Sequence, residues 1–282
     1  MAMRNRVSLS SKLCVIRTNK IYILKEELRK ISELIETEIT PCTLQLFQLI
    51  DSEFISQGSA VLIEIEGENW LLTASHVSNC HKDGKELFFQ YITNEFLSIA
   101  GIFGETPISD KSQIDFAIIK LEPKCVDKLK NIKRFLNPTK TCLLQDQFQK
   151  QMMVICGLPS EATDTTTPQI ISVGNYYLTN TSNQKPYNYY NFNPDNFIIV
   201  DYAGKGFDLK TDNKKSTHEP YGMSGGGLWK IWQNNPGEDY QYCLAGILTE
   251  KRKGKYHVII ANKINLPLDK IYESITTHNK RP

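Results

Sequence analysis

A serine enclosed by glycines, Gly222-Met223-Ser224-Gly225-Gly226, constrains this chain more than any other segment once two upstream segments are set beside it. Thr73-Ala74-Ser75-His76-Val77 puts a histidine at the end of a hydrophobic strand-like run, and Ile114-Asp115-Phe116-Ala117-Ile118-Ile119 opens another apolar run with an aspartate. His76, Asp115 and Ser224 thus occur in that order on three separate segments, and the fold has to gather them.

The three residue types make one chemistry. A serine hydroxyl is a poor nucleophile at neutral pH; it needs an imidazole to take its proton and a carboxylate to fix the imidazole's tautomer and stabilise its positive charge. The negative charge that develops on an attacked carbonyl needs donors already in place, and backbone N–H groups at a glycine-permitted turn supply them. The N–H groups of Gly222 and Ser224 are the candidate oxyanion hole.

Each segment alone is weak. A histidine after an apolar strand is commonly packed or solvated, an aspartate opening a run serves equally as a strand-end residue or cap, and a glycine run can be only a flexible turn. Order, spacing and a fourth segment, Leu244-Ala245-Gly246-Ile247-Leu248-Thr249, carry the joint reading.

On these residues the chain resembles the trypsin/chymotrypsin-like serine peptidases, particularly their stand-alone bacterial branch. The matches are Leu71 to Val77 for the histidine segment, Asp115 to Leu121 for the aspartate strand, Gly222 to Gly227 for the serine turn, and Leu244 to Thr249 for a wall of the specificity pocket. They cover roughly residues 42 to 275. The resemblance implies an all-β fold of two six-stranded antiparallel β-barrels of chymotrypsin type, here with an added N-terminal helix and a C-terminal helix. It implies a serine endopeptidase working through an acyl-enzyme on a protein or peptide substrate, without cofactor or metal. Thr249 stands where the family usually has a serine that hydrogen-bonds the catalytic aspartate.

The same motif alignment puts the base of the substrate pocket at His218, with Glu219 beside it and Thr249-Glu250-Lys251 as a wall. A glycine normally lines part of that wall, so Lys251 implies a narrowed or polar pocket. Glu219 or Glu250 facing inward would favour Lys or Arg before the scissile bond, whereas His218 and Lys251 facing inward would favour an acidic residue. The sequence leaves both open. Narrow specificity is expected, because the mixed charges and a long Asn- and Tyr-rich loop from Thr179 to Asn196 would restrict the cleft. Met223 replaces the aspartate that, in many relatives, pairs with a new N-terminus after propeptide cleavage, so no such switch is expected. Control by a regulatory protein partner through the helix from Ile21 to Ile35 is an alternative suggested by family members that look like components of bacterial antiviral systems.

Along the chain, residues 1–41 read as an N-terminal extension, 42–122 as the first barrel, 123–150 as a polar, Lys-rich crossing, and 151–282 as the second barrel with a closing helix from Leu266 to Ile275. In the extension, Ile21, Leu24, Leu28, Ile31, Leu34 and Ile35 recur at helical spacing until Thr40-Pro41 stops the pattern. The apolar face of that helix is expected to pack on the barrels, with partner docking as the alternative. Glu66-Gly67-Glu68-Asn69 reads as a hairpin turn.

With 282 residues, 40% of them hydrophobic, the chain can bury a substantial core. A net charge of +2 is too small to suggest nucleic acid as the main partner, despite the basic residues before position 30, and no nucleic-acid partner is expected. The seven cysteines lack paired spacing and are odd in number, and Val77 replaces the cysteine that follows the histidine in secreted relatives. Lys12, Arg17 and Lys20 interrupt any secretory core, and no run approaches the ~20 apolar residues of a membrane span. A cytoplasmic protein is therefore expected, an organellar transit peptide being the alternative. Ala203-Gly204-Lys205-Gly206 lacks the full phosphate-loop pattern, and Cys80-His81 has no second pair at zinc spacing.

Two rival readings remain. Gly222-x-Ser224-x-Gly226 also satisfies the nucleophile elbow of an α/β-hydrolase esterase, but then the acid and histidine must come from Asp239 or Asp269 with His257 or His278, and too little chain follows. The other is a peptidase-fold module that binds without cleaving.

Overall fold

The computed structural model describes residues 12–15, 25–79, 84–92, 95–106, 113–141, 151–160, 163–164, 171–172, 175–202, 205–208, 213–216, 219 and 221–278. His218, Cys80-His81, Ala203-Gly204 and most of the basic N-terminal stretch lie outside them.

The first strand, β1 (Lys12–Val15), belongs to the second of two curled sheets. The first sheet is built from β2 (Thr43–Ile50), β3 (Glu53–Ile65), β4 (Glu68–Thr73), β5 (Phe88–Ile92), β6 (Glu95–Ser98), β7 (Gly101–Glu105) and β8 (Ala117–Leu121), in the order β6-β5-β2-β3-β4-β8-β7. Strands β9 (Gln151–Gly157), β10 (Thr163–Asp164), β11 (Ile171–Ser172), β12 (Asn175–Thr179), β13 (Phe197–Asp201), β14 (Lys205–Asp208), β15 (Asn213–Ser216), β16 (Gly227–Trp232), β17 (Gln241–Arg252) and β18 (Val258–Lys263) follow. Apart from the separate β10–β11 pair, they join β1 in the order β13-β18-β17-β16-β9-β12-β1-β14-β15.

The all-β, two-barrel expectation of chymotrypsin type holds, with larger sheets than six strands each. Six strands from β13 to β12 form the body of the second sheet, and β1 with the β14–β15 hairpin extends its edge; β1 pairs parallel with β12 from Lys12↔Asn175 to Val15↔Leu178. Apart from that one parallel pair the sheets are antiparallel, which removes the α/β-hydrolase reading, since that fold requires parallel strands separated by helices.

Successive residues of a strand point to opposite faces. On β3, Ala60 and Leu62 fill the first barrel while Val61, Ile63 and Ile65 enter a second core between the barrels. On β16, Leu228 fills the second barrel while Trp229 and Ile231 enter the shared core. Burial on both faces is why these strands read as continuous apolar runs rather than alternating ones. The two-residue turn at Glu66 and Gly67 has φ of 51° and 79°, the doubly left-handed backbone that matches hairpin twist.

Both helical additions close the seam between the barrels. Helix α1 (Lys25–Leu34) runs on through a wider turn to Ile39, and its Ile31, with Ile35 and Ile39, is fully buried in the shared core together with Leu268 and Ile271 of the last helix, Asn265–His278. The apolar face is thus covered by the barrels, as expected. The crossing carries a helix of its own at Pro123–Ile132, and Arg134 beyond it donates to the Thr37 carbonyl (2.8 Å) and to Glu38 Oε2 (3.1 Å). Tyr242 Oη donates to the same Glu38 oxygen at 2.8 Å, tying the extension, the crossing and β17 together.

Two expectations need correction. The segment from Thr179 to Asn196 is not one long loop: it holds the helix Gln184–Tyr190, capped by Asn183, whose side chain accepts the Lys185 N–H at 2.9 Å. Cys243 is disulfide-bonded, its partner lying outside the residues whose side chains are described, while Cys42, Cys125 and Cys156 are free and buried. A bond between residues joined only by the fold leaves no signature in their spacing. No helix among the described residues is long and apolar enough to cross a membrane.

Candidate active site

His76 sits on a single helical turn, Ser75–Ser78, directly after β4. Asp115 precedes β8, the neighbour of β4, in register Thr73↔Ala117. The sheet therefore brings two residues 39 positions apart in sequence side by side. Asp115 Oδ2 lies 2.6 Å from His76 Nδ1, and Asp115 Oδ1 accepts the His76 backbone N–H at 3.0 Å. Holding both ring and backbone fixes the imidazole with Nδ1 toward the carboxylate and Nε2 outward. Buried Asn262 donates to the Asp115 carbonyl at 2.9 Å, a support from the second barrel that sequence reasoning missed.

Ser224 comes from the turn before β16. Gly222 and Gly225 flank it with φ of 84° each, a backbone that L side chains rarely adopt. The Gly225 N–H goes to the Leu248 carbonyl (2.7 Å) and the Gly226 N–H to the Met223 carbonyl (2.9 Å). The N–H groups of Gly222 and Ser224 make no hydrogen bond among the described residues, which leaves the expected oxyanion donors open.

Ser59, buried on β3, pins this turn to the first barrel. Its N–H donates to the Ser224 carbonyl (2.7 Å) and its hydroxyl to the Gly222 carbonyl (2.8 Å). The hydroxyl also accepts the Leu158 N–H (2.9 Å), and the Ser59 carbonyl accepts from Thr73 Oγ1 (2.7 Å), three residues before His76. A small polar residue beside Gly58, at the head of an apolar run, was the only sign of this role in the sequence.

The Ser224 hydroxyl donates to the Thr249 carbonyl at 3.0 Å. A hydroxyl has one proton, so it is not offered to His76 in this conformer. Thr249 departs from its expected role too: its hydroxyl donates to the Ile260 carbonyl (3.1 Å), not to Asp115, because the β17 irregularity between Leu248 and Glu250 turns it toward β18.

One cleft of about 780 Å³ is lined by His76, Asp115, Gly222 and Ser224 together with Glu219, Thr249, Glu250 and Lys251. All the sequence-predicted site residues that are described therefore meet there. Gln57, Tyr221, Arg252 and Lys253 line it as well and were not foreseen. Glu219 Oε2 and Oε1 each lie 2.7 Å from an ammonium, those of Lys251 and Lys253, and these two bonds hold its carboxyl below the usual range. Burial pushes the Glu250 carboxyl up; Arg252, 2.8 Å away, opposes this, and the charge on Asp115 adds to it.

No protein-family model matches this chain, and no curated protein does either. Solved structures share its fold. The scabies mite inactivated protease paralogue S-I1 is 13% identical with a TM-score of 0.50, covering 84% of this chain and 95% of its own. A second inactivated paralogue from the mite, S-D1, is 14% identical with a TM-score of 0.51, covering 84% and 93%. Neuropsin, a serine protease expressed in the limbic system of mouse brain, is 16% identical with a TM-score of 0.51, covering 83% and 94%. The fold is that of the chymotrypsin-like proteases.

Proposed function

We propose that this chain is a serine endopeptidase that hydrolyses peptide bonds through an acyl-enzyme. The observation that carries this reading is the His76–Asp115 pair at 2.6 Å, facing the same cleft as Ser224 and the open amides of its glycine turn.

In the reaction, the Ser224 hydroxyl swings from the Thr249 carbonyl toward His76 Nε2. Its oxygen bonds to the scissile carbonyl carbon as the proton passes to Nε2, and Asp115 stabilises the imidazolium. The Gly222 and Ser224 N–H groups hold the oxyanion. The C–N bond then breaks, and the leaving amine takes the proton from Nε2. Water repeats the cycle: it gives a proton to His76 as its oxygen joins the acyl carbon, and the Ser224–carbonyl bond breaks as Nε2 returns the proton to Oγ. The products are a carboxylic acid, ionised at neutral pH, and an amine.

Met223 is buried among apolar side chains of the second barrel, so a freed N-terminus would meet no carboxylate at that position. We therefore place activation outside the propeptide-cleavage route.

A second reading, a peptidase-fold module that binds without cleaving, is favoured by the Ser224–Thr249 hydrogen bond, which leaves the nucleophile uncoupled from its base. A fluorophosphonate probe separates the two. Covalent labelling at Ser224, lost in Ser224→Ala, supports the peptidase; an unlabelled protein with an intact fold supports the binding module.

A further inference from the structure

The wall of the cleft beside the nucleophile is electrically uneven. It holds two carboxylates, Glu219 and Glu250, and three cations, Lys251, Arg252 and Lys253. Neither carboxylate faces the cleft uncommitted. Glu219 is bonded through one oxygen to Lys251 and through the other to Lys253, both at 2.7 Å, and Glu250 is bonded to Arg252 at 2.8 Å. Glu219, Lys251 and Lys253 together sum to one positive charge.

Its unused bonding capacity has the same sign. An ammonium carries three N–H donors and no acceptor, and each lysine spends one on a Glu219 oxygen. Lys251 is the better placed of the two: its side chain is only 15% exposed, and Nζ lies 4.5 Å from the centre of the Tyr202 ring, so its stem forms the pocket lining and its charge is held there. A basic substrate side chain would have to displace a lysine from Glu219 and then sit beside it. A carboxylate would instead meet remaining donors on the two ammonium groups bonded to Glu219 and extend the lysine–glutamate array into an alternating one.

We propose that the Glu219–Lys251–Lys253 wall receives a carboxylate, so that the peptide carries an acidic side chain immediately before the scissile bond. This rests on the peptidase reading and names its substrate class. Lys251 and Lys253 bind that side chain, while Glu219 holds the two ammonium groups in place.

The test uses matched peptidyl diphenyl phosphonates with blocked termini, differing only in a Glu, Leu or Lys side chain at the position before the phosphorus, beside a fluorophosphonate that has no such side chain. The Glu probe is expected to inactivate the protein on the order of tenfold faster than the Lys probe, the scale of one favourable against one unfavourable charge contact. Lys251→Glu should lower the Glu-to-Lys rate ratio and Glu219→Gln should raise it; opposite movement separates recognition from a general loss of folding. Equal rates, a faster Lys or Leu probe, or a ratio unmoved by both substitutions overturns the inference while labelling by the fluorophosphonate leaves the peptidase reading standing. Failure of every probe on folded protein overturns both.

Discussion

The Ser59 amide donates to the Ser224 carbonyl at 2.7 Å, joining the first barrel to the serine turn of the second. Because the Ser59 hydroxyl also holds Gly222 and Leu158, one buried residue sets the height of the serine turn relative to the histidine strand. Ser59→Ala should leave the Leu158 N–H and the Gly222 carbonyl short of a partner, at a cost of about 1–3 kcal/mol in stability. The turn should also drift, lowering kcat by roughly tenfold or more with a smaller change in KM. Steady-state kinetics beside thermal melting checks this; an unchanged kcat would remove Ser59 from the positioning of the site.

Asp115→Asn keeps the shape of the pair but replaces a charged acceptor with an amide. In triads this substitution costs about 10⁴ in kcat. The same scale is expected here, with a small effect on folding because Asn retains acceptors for the His76 N–H. Single-turnover measurement of acylation reads it directly, and a loss of only a few-fold would argue that Asp115 is not the orienting group.

Gly225→Ala is expected to destabilise the whole molecule. The new Cβ would stand 2.0 Å from the Ser59 carbonyl oxygen and 2.1 Å from Thr73 Oγ1, at a φ of 84°. The carbonyl belongs to a core strand and cannot swing aside, so a loss of about 3 kcal/mol or more should follow. Denaturant melts check this; a variant as stable as the parent would contradict the close contact of the barrels at this glycine.

Burial pushes the Cys42 and Cys156 thiols up to about 11, since a thiolate there would be poorly solvated. Near pH 8 only about one part in a thousand should be thiolate. Iodoacetamide followed by mass spectrometry should find both cysteines unmodified in folded protein and modified after denaturation. Rapid alkylation in the folded state would refute the buried placement.

Glu219 supplies a pH dependence of definite sign. Its bonds to Lys251 and Lys253 lower its folded value below the ordinary 4.5, so the stability it contributes is present above 4.5 and is lost as pH falls through the lower folded value. The melting-temperature gap between the parent and Glu219→Gln should be flat at neutral pH and close below 4.5. The group is 39% exposed, so the gap should be small and should shrink with salt. A gap that widens on acidification would reverse the assignment.

That His76, Asp115 and Ser224 line one cleft was legible because the chemistry they suggest needs particular side chains on segments whose neighbours are apolar or glycine. Strand positions were legible for the same reason, but their facing was not: Trp70 and Leu72 enter the shared core while Leu71 between them fills the first barrel, and an unbroken apolar run does not say which. β1 was hidden because a four-residue strand in a basic stretch makes sense only against the edge that β12 offers. The Gln184–Tyr190 helix was masked by Pro186 and by asparagines, although Asn183 is a good cap and a proline in the first turn breaks no helical bond. The Ser224 rotamer depends on a carbonyl 25 residues away and has no local sign at all.

The shared core draws on both sheets, on Ile31 and Ile35 near the start, and on Leu268 and Ile271 in the last helix. During synthesis His76 and Asp115 emerge well before Ser224, and the seam that seats the serine turn cannot be sealed until Leu268 and Ile271 have left the ribosome. A chain that has already released His76, Asp115 and Ser224 therefore still lacks the seam that sets them against one another, and the site forms as a late product of folding rather than with the emergence of Ser224.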